Sequence, residues 1–166
     1  MYKSNLPYPD IKVEKENIEY AELLSYPYVG LVSEDTATHL YMYQSFILDG
    51  EISNILEKIA IVEMHHLELL AKTIKLLGLN PEYKVNDIYW NANYVNYNNN
   101  LKDILKINIE AETLAIKNYK NLIKVIDDKY VKELLRRIII DEEIHLQIFK
   151  NLYEKNSQQW LFIFIW

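Results

Sequence analysis

The chain has no cysteine, which excludes disulfides, thiolate metal sites, thiol nucleophiles and rubredoxin-like iron centres. Breakers are scarce as well. Its 166 residues hold three Gly and four Pro, and Pro7, Pro9 and Pro27 all fall within the first 27, so the body of the chain suits long helices with short links. No apolar run approaches the roughly 18 residues that cross a bilayer, and no apolar core of a signal peptide opens the sequence. Lys and Arg do not gather on one predicted face, and the formal net charge is −6, which argues against nucleic acid as a partner. The expectation is a soluble, cytoplasmic protein with no transmembrane segment.

What is present in quantity is apolar sequence. Half of the residues are hydrophobic, enough for one domain with a sizeable core. Residues 1–27 read as an N-terminal extension, in which Glu16 to Ser25 can form a short helix before Pro27 interrupts it. Helical periodicity then predicts segments over 28–48, 53–77, 101–126 and 129–153. Asp49-Gly50 stops the first, Ser53 is expected to cap the second, Gly78 with Pro81 ends it, and Asp127-Asp128 separates the last two. Residues 79–100, rich in Asn and Tyr, are too many for a turn and have the reach to cross a bundle lengthwise. The reading is all-α: two antiparallel helical hairpins joined by a long crossover, forming a four-helix bundle over 28–153. Trp90 to Tyr97 are expected to pack in the crossover or in a dimer contact. The tail, 154–166, ends in a wholly apolar stretch from residue 160, expected to pack on the bundle or in a subunit contact.

Charge stands where this plan puts the core. Glu63 and His66 are one turn apart on a face otherwise made of Leu56, Ile59, Leu70 and Leu77. The fourth segment repeats the pattern, with Glu142 and His145 in the stripe Leu135, Ile138, Phe149 and Leu152. The first and third segments match each other too: Glu34-x-x-Ala37-x-x-x-Tyr41 recurs as Glu112-x-x-Ala115-x-x-x-Tyr119. Glu34 precedes Glu63 by 29 positions and Glu112 precedes Glu142 by 30, so the chain is two copies of one helical hairpin. His65 lies about 100° round its helix from His66, and His39 is off the Glu34 line, so both are expected at the surface. Glu110 and Glu143 are displaced from the stripes and are expected in solvent.

An ionised carboxylate buried without a partner costs several kcal/mol or more. No Lys or Arg is expected on the inner face to meet four of them, whereas two divalent cations would neutralise their formal charge of −4. One Glu from each of two helices and Glu-x-x-His from each of the other two is the ligand set of di-iron and di-manganese carboxylate bundles. The expected metal ligands are therefore Glu34, Glu63, His66, Glu112, Glu142 and His145, and the expected cofactor is two divalent redox metal ions, iron or manganese. Tyr41 and Tyr119 either pack or donate hydrogen bonds to ligating carboxylates. A carboxylate-bridged redox pair takes peroxide or dioxygen as its partner, and the leading expectation is an oxidoreductase that consumes hydrogen peroxide, with a carboxylate or a tyrosine, Tyr41 or Tyr119, handling protons. It would work as a homo-oligomer, with an electron donor that the sequence does not name. Ferritin-like iron oxidation and storage is the alternative reading, and a di-iron oxygenase a further one.

Several stretches carry a family resemblance. They are Asn17-Ile18-Glu19-Tyr20-Ala21-Glu22-Leu23-Leu24 through Glu34, Ile61-Val62-Glu63-Met64-His65-His66-Leu67-Glu68, Tyr94-Val95-Asn96-Tyr97 and Asp141-Glu142-Glu143-Ile144-His145. Over residues 8–153 the chain resembles the manganese-catalase-like and rubrerythrin-like proteins of the ferritin-like superfamily. The resemblance implies a dinuclear metal site in a four-helix bundle and acid/base work for the glutamate at position 142. Glu142 is thereby left with two possible parts, ligand or acid/base group.

Overall fold

Helices begin in this protein where a short polar side chain can take up free amide groups. The computed structural model describes the backbone of residues 2–163 and the side chains of residues 2–157, so the contact expected for the apolar tail lies outside the described residues. Asn17 accepts from the Tyr20 amide and opens α1, Ile18–Val29. Ser33 accepts from the Thr36 amide and opens α2, Glu34–Ile47. After the short link at Leu48 and Asp49 comes α3, Gly50–Leu76. Asn100 accepts from the amides of Lys102 and Asp103 to open α4, Leu101–Val125. Asp128 accepts from Tyr130 and Val131 to open α5, Lys129–Ile163.

The pairs α2 with α3 and α4 with α5 pack as two hairpins, and α1 lies against α3 and α2. The result is the expected four-helix bundle, with differences at the helix ends. The first bundle helix starts at Glu34, not at residue 28, because Tyr28 and Val29 belong to α1. Pro27 does not end α1: Tyr28 and Val29 are buried, and the Gly30 amide closes the last turn on the Tyr26 carbonyl at 2.9 Å. Helix α3 starts at Gly50, ahead of Ser53, whose hydroxyl instead donates to the Ser45 carbonyl at 2.7 Å and ties the hairpin together. Gly78 does sit in the left-handed region (φ 100°) just past α3. The crossover contains a small antiparallel hairpin, Lys84–Val85 with Ile88–Tyr89, and a single turn of 3₁₀ helix at Ala92–Tyr94. Its Trp90 is half-buried between the two halves of the core. Among the described residues no helix is long and apolar enough to cross a membrane.

The core has two apolar layers with a polar layer between them. One holds Leu24, Leu70, Ile74, Leu77, Leu135 and Ile138; the other holds Leu40, Leu56, Ile59, Leu105 and Phe149. Along α3 the order is Ile59, then Glu63 and His66, then Leu70; along α5 it is Ile138, then Glu142 and His145, then Phe149. The charged residues are thus shut off from water at both ends of the bundle.

The second layer carries one neutral polar pair. Gln44 on α2 and Asn108 on α4 exchange hydrogen bonds at 2.9 and 2.7 Å, and both are buried. Replacing Gln44→Leu alone leaves the Asn108 amide buried and unpaired, and should lower unfolding free energy by about 1–3 kcal/mol in a denaturant titration of metal-free protein. The double substitution Gln44→Leu with Asn108→Leu should recover most of that loss. Additive losses would show that the pair is not coupled.

Candidate metal centre

The structure brings all six residues singled out by the repeat into the polar layer. Glu34 is the first residue of α2, Glu63 and His66 lie mid-α3, Glu112 lies mid-α4, and Glu142 and His145 lie mid-α5. None is more than 4% exposed. They form two overlapping nests: Glu34, Glu63, His66 and Glu142 in one, and Glu63, Glu112, Glu142 and His145 in the other. Within each nest, one donor atom per residue lies within 4.8 Å of all the others.

Glu63 and Glu142 belong to both nests, and each divides its two oxygens between them. Glu63 Oε2 is 3.2 Å from His66 Nδ1 and its Oε1 is 2.9 Å from His145 Nδ1. Glu142 Oε1 is 3.0 Å from His66 Nδ1 and its Oε2 is 3.3 Å from His145 Nδ1. Glu34 adds an oxygen 3.4 Å from His66 Nδ1 in the first nest only. Despite their short contacts, Glu63 Oε1 and Glu142 Oε1 find no partner in hydrogen-bonding geometry. Buried carboxylate oxygens left this way are unusual unless something else completes them. Lone pairs of hard oxygen and imidazole nitrogen that converge on a shared point, in numbers of four per nest, fit a divalent cation in each.

The electrostatics separate the four glutamates into two kinds. Burial pushes Glu34 up, and the neighbouring Glu142 and Glu63 carboxylates push it further. Glu112 is raised in the same way, by burial and then by Glu63 and Glu142. Burial also acts on Glu63, but the charge of His145 and the hydrogen bond and charge of His66 outweigh it and hold Glu63 low. Glu142 is likewise lowered, since attraction to His66 and the hydrogen bond from His145 overcome burial and the Glu63 charge. Both imidazoles are raised against their own desolvation, His66 chiefly by Glu142 and Glu34, His145 chiefly by Glu63.

The two tyrosines reach across the bundle to the glutamate of the other hairpin. Tyr41 on α2 donates to Glu112 Oε1 at 2.5 Å, and Tyr119 on α4 donates to Glu34 Oε1. Burial and the adjoining carboxylates push both phenols well up, so they stay protonated. They line a cavity of about 130 Å³ together with Glu34, Glu63, Glu112 and Glu142. Its remaining wall includes Leu31, Val32 and Ser33, from the break between α1 and α2. Starting α2 at Glu34 therefore leaves a loop beside that carboxylate where a continuous helix would have closed the face.

The opposite edges of the imidazoles meet residues that periodicity did not single out. His66 Nε2 lies 3.2 Å from Asp141 Oδ2, and the Tyr8 hydroxyl donates to the same oxygen at 2.5 Å. Arg137, one turn before Asp141 on α5, is buried and pairs with Asp141 Oδ1 at 2.8 Å. An inward arginine therefore does exist, but it serves Asp141 and leaves the four glutamates unmatched. His145 Nε2 is 2.8 Å from the Tyr2 carbonyl. The signals for this outer set were the Arg137/Asp141 spacing of four and the acid directly before Glu142. His39, His65, Glu110 and Glu143 are at the surface, where helical geometry put them.

Comparison with known proteins agrees with this arrangement. The sequence model of the rubrerythrin family matches residues 28–153. A probable manganese catalase of Clostridium acetobutylicum is 30% identical over 169 aligned positions, covering 87% of this chain and 75% of that protein. In solved structures, a manganese catalase from Anabaena superposes with a TM-score of 0.85 at 26% identity, covering 95% of this chain and 81% of the other. The bacterioferritin of Desulfovibrio desulfuricans superposes with a TM-score of 0.74 at 28% identity, covering 84% and 81%. The chain belongs to the rubrerythrin family of ferritin-like four-helix bundles and is a homologue of the manganese catalases.

Proposed function

We propose that the protein is a dinuclear-metal oxidoreductase that consumes hydrogen peroxide, with Glu34, Glu63, His66, Glu112, Glu142 and His145 holding the metals. The observation that carries this reading is the sharing of Glu63 and Glu142 between the two nests, one oxygen toward each histidine. Two iron or manganese ions there would supply two-electron exchange with peroxide. Glu63 and Glu142 would be shared by the two metal positions, while Glu34 would complete one and Glu112 the other. Both oxygens of Glu142 face imidazole nitrogens, which favours a ligand over a free-standing acid/base group. Protons are held at Tyr41 Oη against Glu112 and at Tyr119 Oη against Glu34, both on the cavity wall. A cavity of about 130 Å³ suits peroxide or dioxygen and is small beside the roughly 300–1,000 Å³ of pockets for larger organic ligands. We place the working protein in the cytoplasm as a homo-oligomer. Iron oxidation and storage is the second reading, supported by the bacterioferritin likeness; a cage of many subunits would favour it.

The charge pattern sets the proton count of loading. In the metal-free cluster burial and the neighbouring acids push Glu34 and Glu112 up, the imidazoles hold Glu63 and Glu142 low, and the carboxylates push both imidazoles up. Divalent ions bind deprotonated carboxylates and imidazoles, and Glu34, Glu112, His66 and His145 are all pushed toward their protonated forms, so loading should release protons. Indicator-dye titration in weak buffer measures this, and apparent affinity should fall as pH is lowered. Loading without proton release would contradict these directions.

Peroxide turnover tests the function. Apoprotein reconstituted with manganese or iron should consume hydrogen peroxide, and Glu142→Gln should lower the rate by about 100-fold or more. Tyr41→Phe should lower it by about tenfold while two metals per chain are retained. Absence of turnover with either metal would remove the peroxide reading.

A further inference from the structure

The two halves of the centre are mirrored in their ligands but not behind them. Asp141 stands one residue before Glu142; the matching position on α3, one before Glu63, is Val62. Asp141 therefore has no twin, and residues 2–8 fill the gap. This N-terminal segment is tied to α5 at several points. The Ser4 amide donates to Asp141 Oδ1 at 2.7 Å, and Arg137 donates to the Leu6 carbonyl at 2.9 Å and to the Ser4 carbonyl at 3.2 Å. The Arg137 guanidinium also lies over the Tyr8 ring, 4.1 Å from its centre.

A histidine that gives Nδ1 to a metal carries its proton on Nε2. For His66 that proton faces a carboxylate, Asp141 Oδ2, to which Tyr8 also donates and whose Oδ1 pairs with Arg137. For His145 it faces a neutral carbonyl, that of Tyr2. A carboxylate partner makes an imidazole a stronger donor than a carbonyl does, and loss of such a partner typically costs 10–100-fold in metal affinity. We propose that residues 2–8 form a strap that makes the two metal positions inequivalent, with Asp141 and Tyr8 as positioning residues that cause the His66 position to fill first. The proposal rests on the dinuclear reading above.

With four histidines in the chain, the test is direct. Full-length apoprotein labelled with 15N-histidine is titrated with zinc, a redox-inert stand-in, and the imidazole nitrogens are followed by NMR, assigned with His66→Gln and His145→Gln variants. In the wild type the first equivalent should shift His66, with occupancy at least about tenfold above His145, and the second should shift His145. In Asp141→Asn, which turns the carboxylate into a neutral amide of the same shape, the first equivalent should divide within about threefold between the two. Should that variant not fold, Tyr8→Phe keeps the ring over Arg137 and removes only the hydroxyl, and should narrow the preference severalfold. First filling at His145, equal filling in the wild type, or an order unchanged in both variants overturns the inference alone. If neither His66 nor His145 responds to two equivalents, the dinuclear reading fails and takes the inference with it.

Discussion

Four carboxylates and two imidazoles share a layer closed above and below by aliphatic side chains, and the compensation of their charge is the constraint on which the rest of the structure depends. In the metal-free protein the two imidazoles hold Glu63 and Glu142 low, while burial and the other acids push Glu34 and Glu112 up. Two divalent cations would meet it differently, by neutralising the charge of the four carboxylates. The same six side chains can satisfy both states, so the bundle need not unfold to load.

Around this layer the two hairpins hold each other through tyrosine. Each phenol crosses from its own helix to the opposite glutamate, so Glu34 and Glu112 are oriented by the hairpin to which they do not belong. Access and support lie at different places. The break between α1 and α2 leaves the cavity beside Glu34, Glu112 and the tyrosines, while the N-terminal strap, Arg137 and Asp141 meet the Nε2 edges of the histidines. The repeat thus gives the six side chains their symmetry, and the segment outside the repeat meets the two histidines differently.

Much of this was legible in the sequence because the repeat pairs chemistry with spacing. Glu63/His66 and Glu142/His145 stand in apolar stripes where a single pair would have been ambiguous, and the matched Glu-x-x-Ala-x-x-x-Tyr elements located the other two helices. His65, although adjacent to His66, was set aside on helical angle alone, and it lies at the surface. Helix ends were harder to read. Pro27 reads as a breaker, yet burial of Tyr28 and Val29 carries α1 past it, and Ser33 rather than residue 28 begins α2. Ser53 resembles a cap and is a hairpin tie instead. The contacts of Tyr2, Ser4 and Tyr8 were out of reach, because they join residues more than 50 positions apart through an irregular segment with no periodicity to follow. Tertiary contact decided each of these cases, and local pattern does not encode it.

The central claim is that Glu63 and Glu142 join two metal positions into one centre. Electron paramagnetic resonance of protein carrying two manganese(II) ions per chain tests it most directly. Bridging carboxylates should couple the ions, replacing the six-line spectrum of isolated manganese(II) with that of an exchange-coupled pair. An undiminished six-line spectrum at two ions per chain would contradict the account.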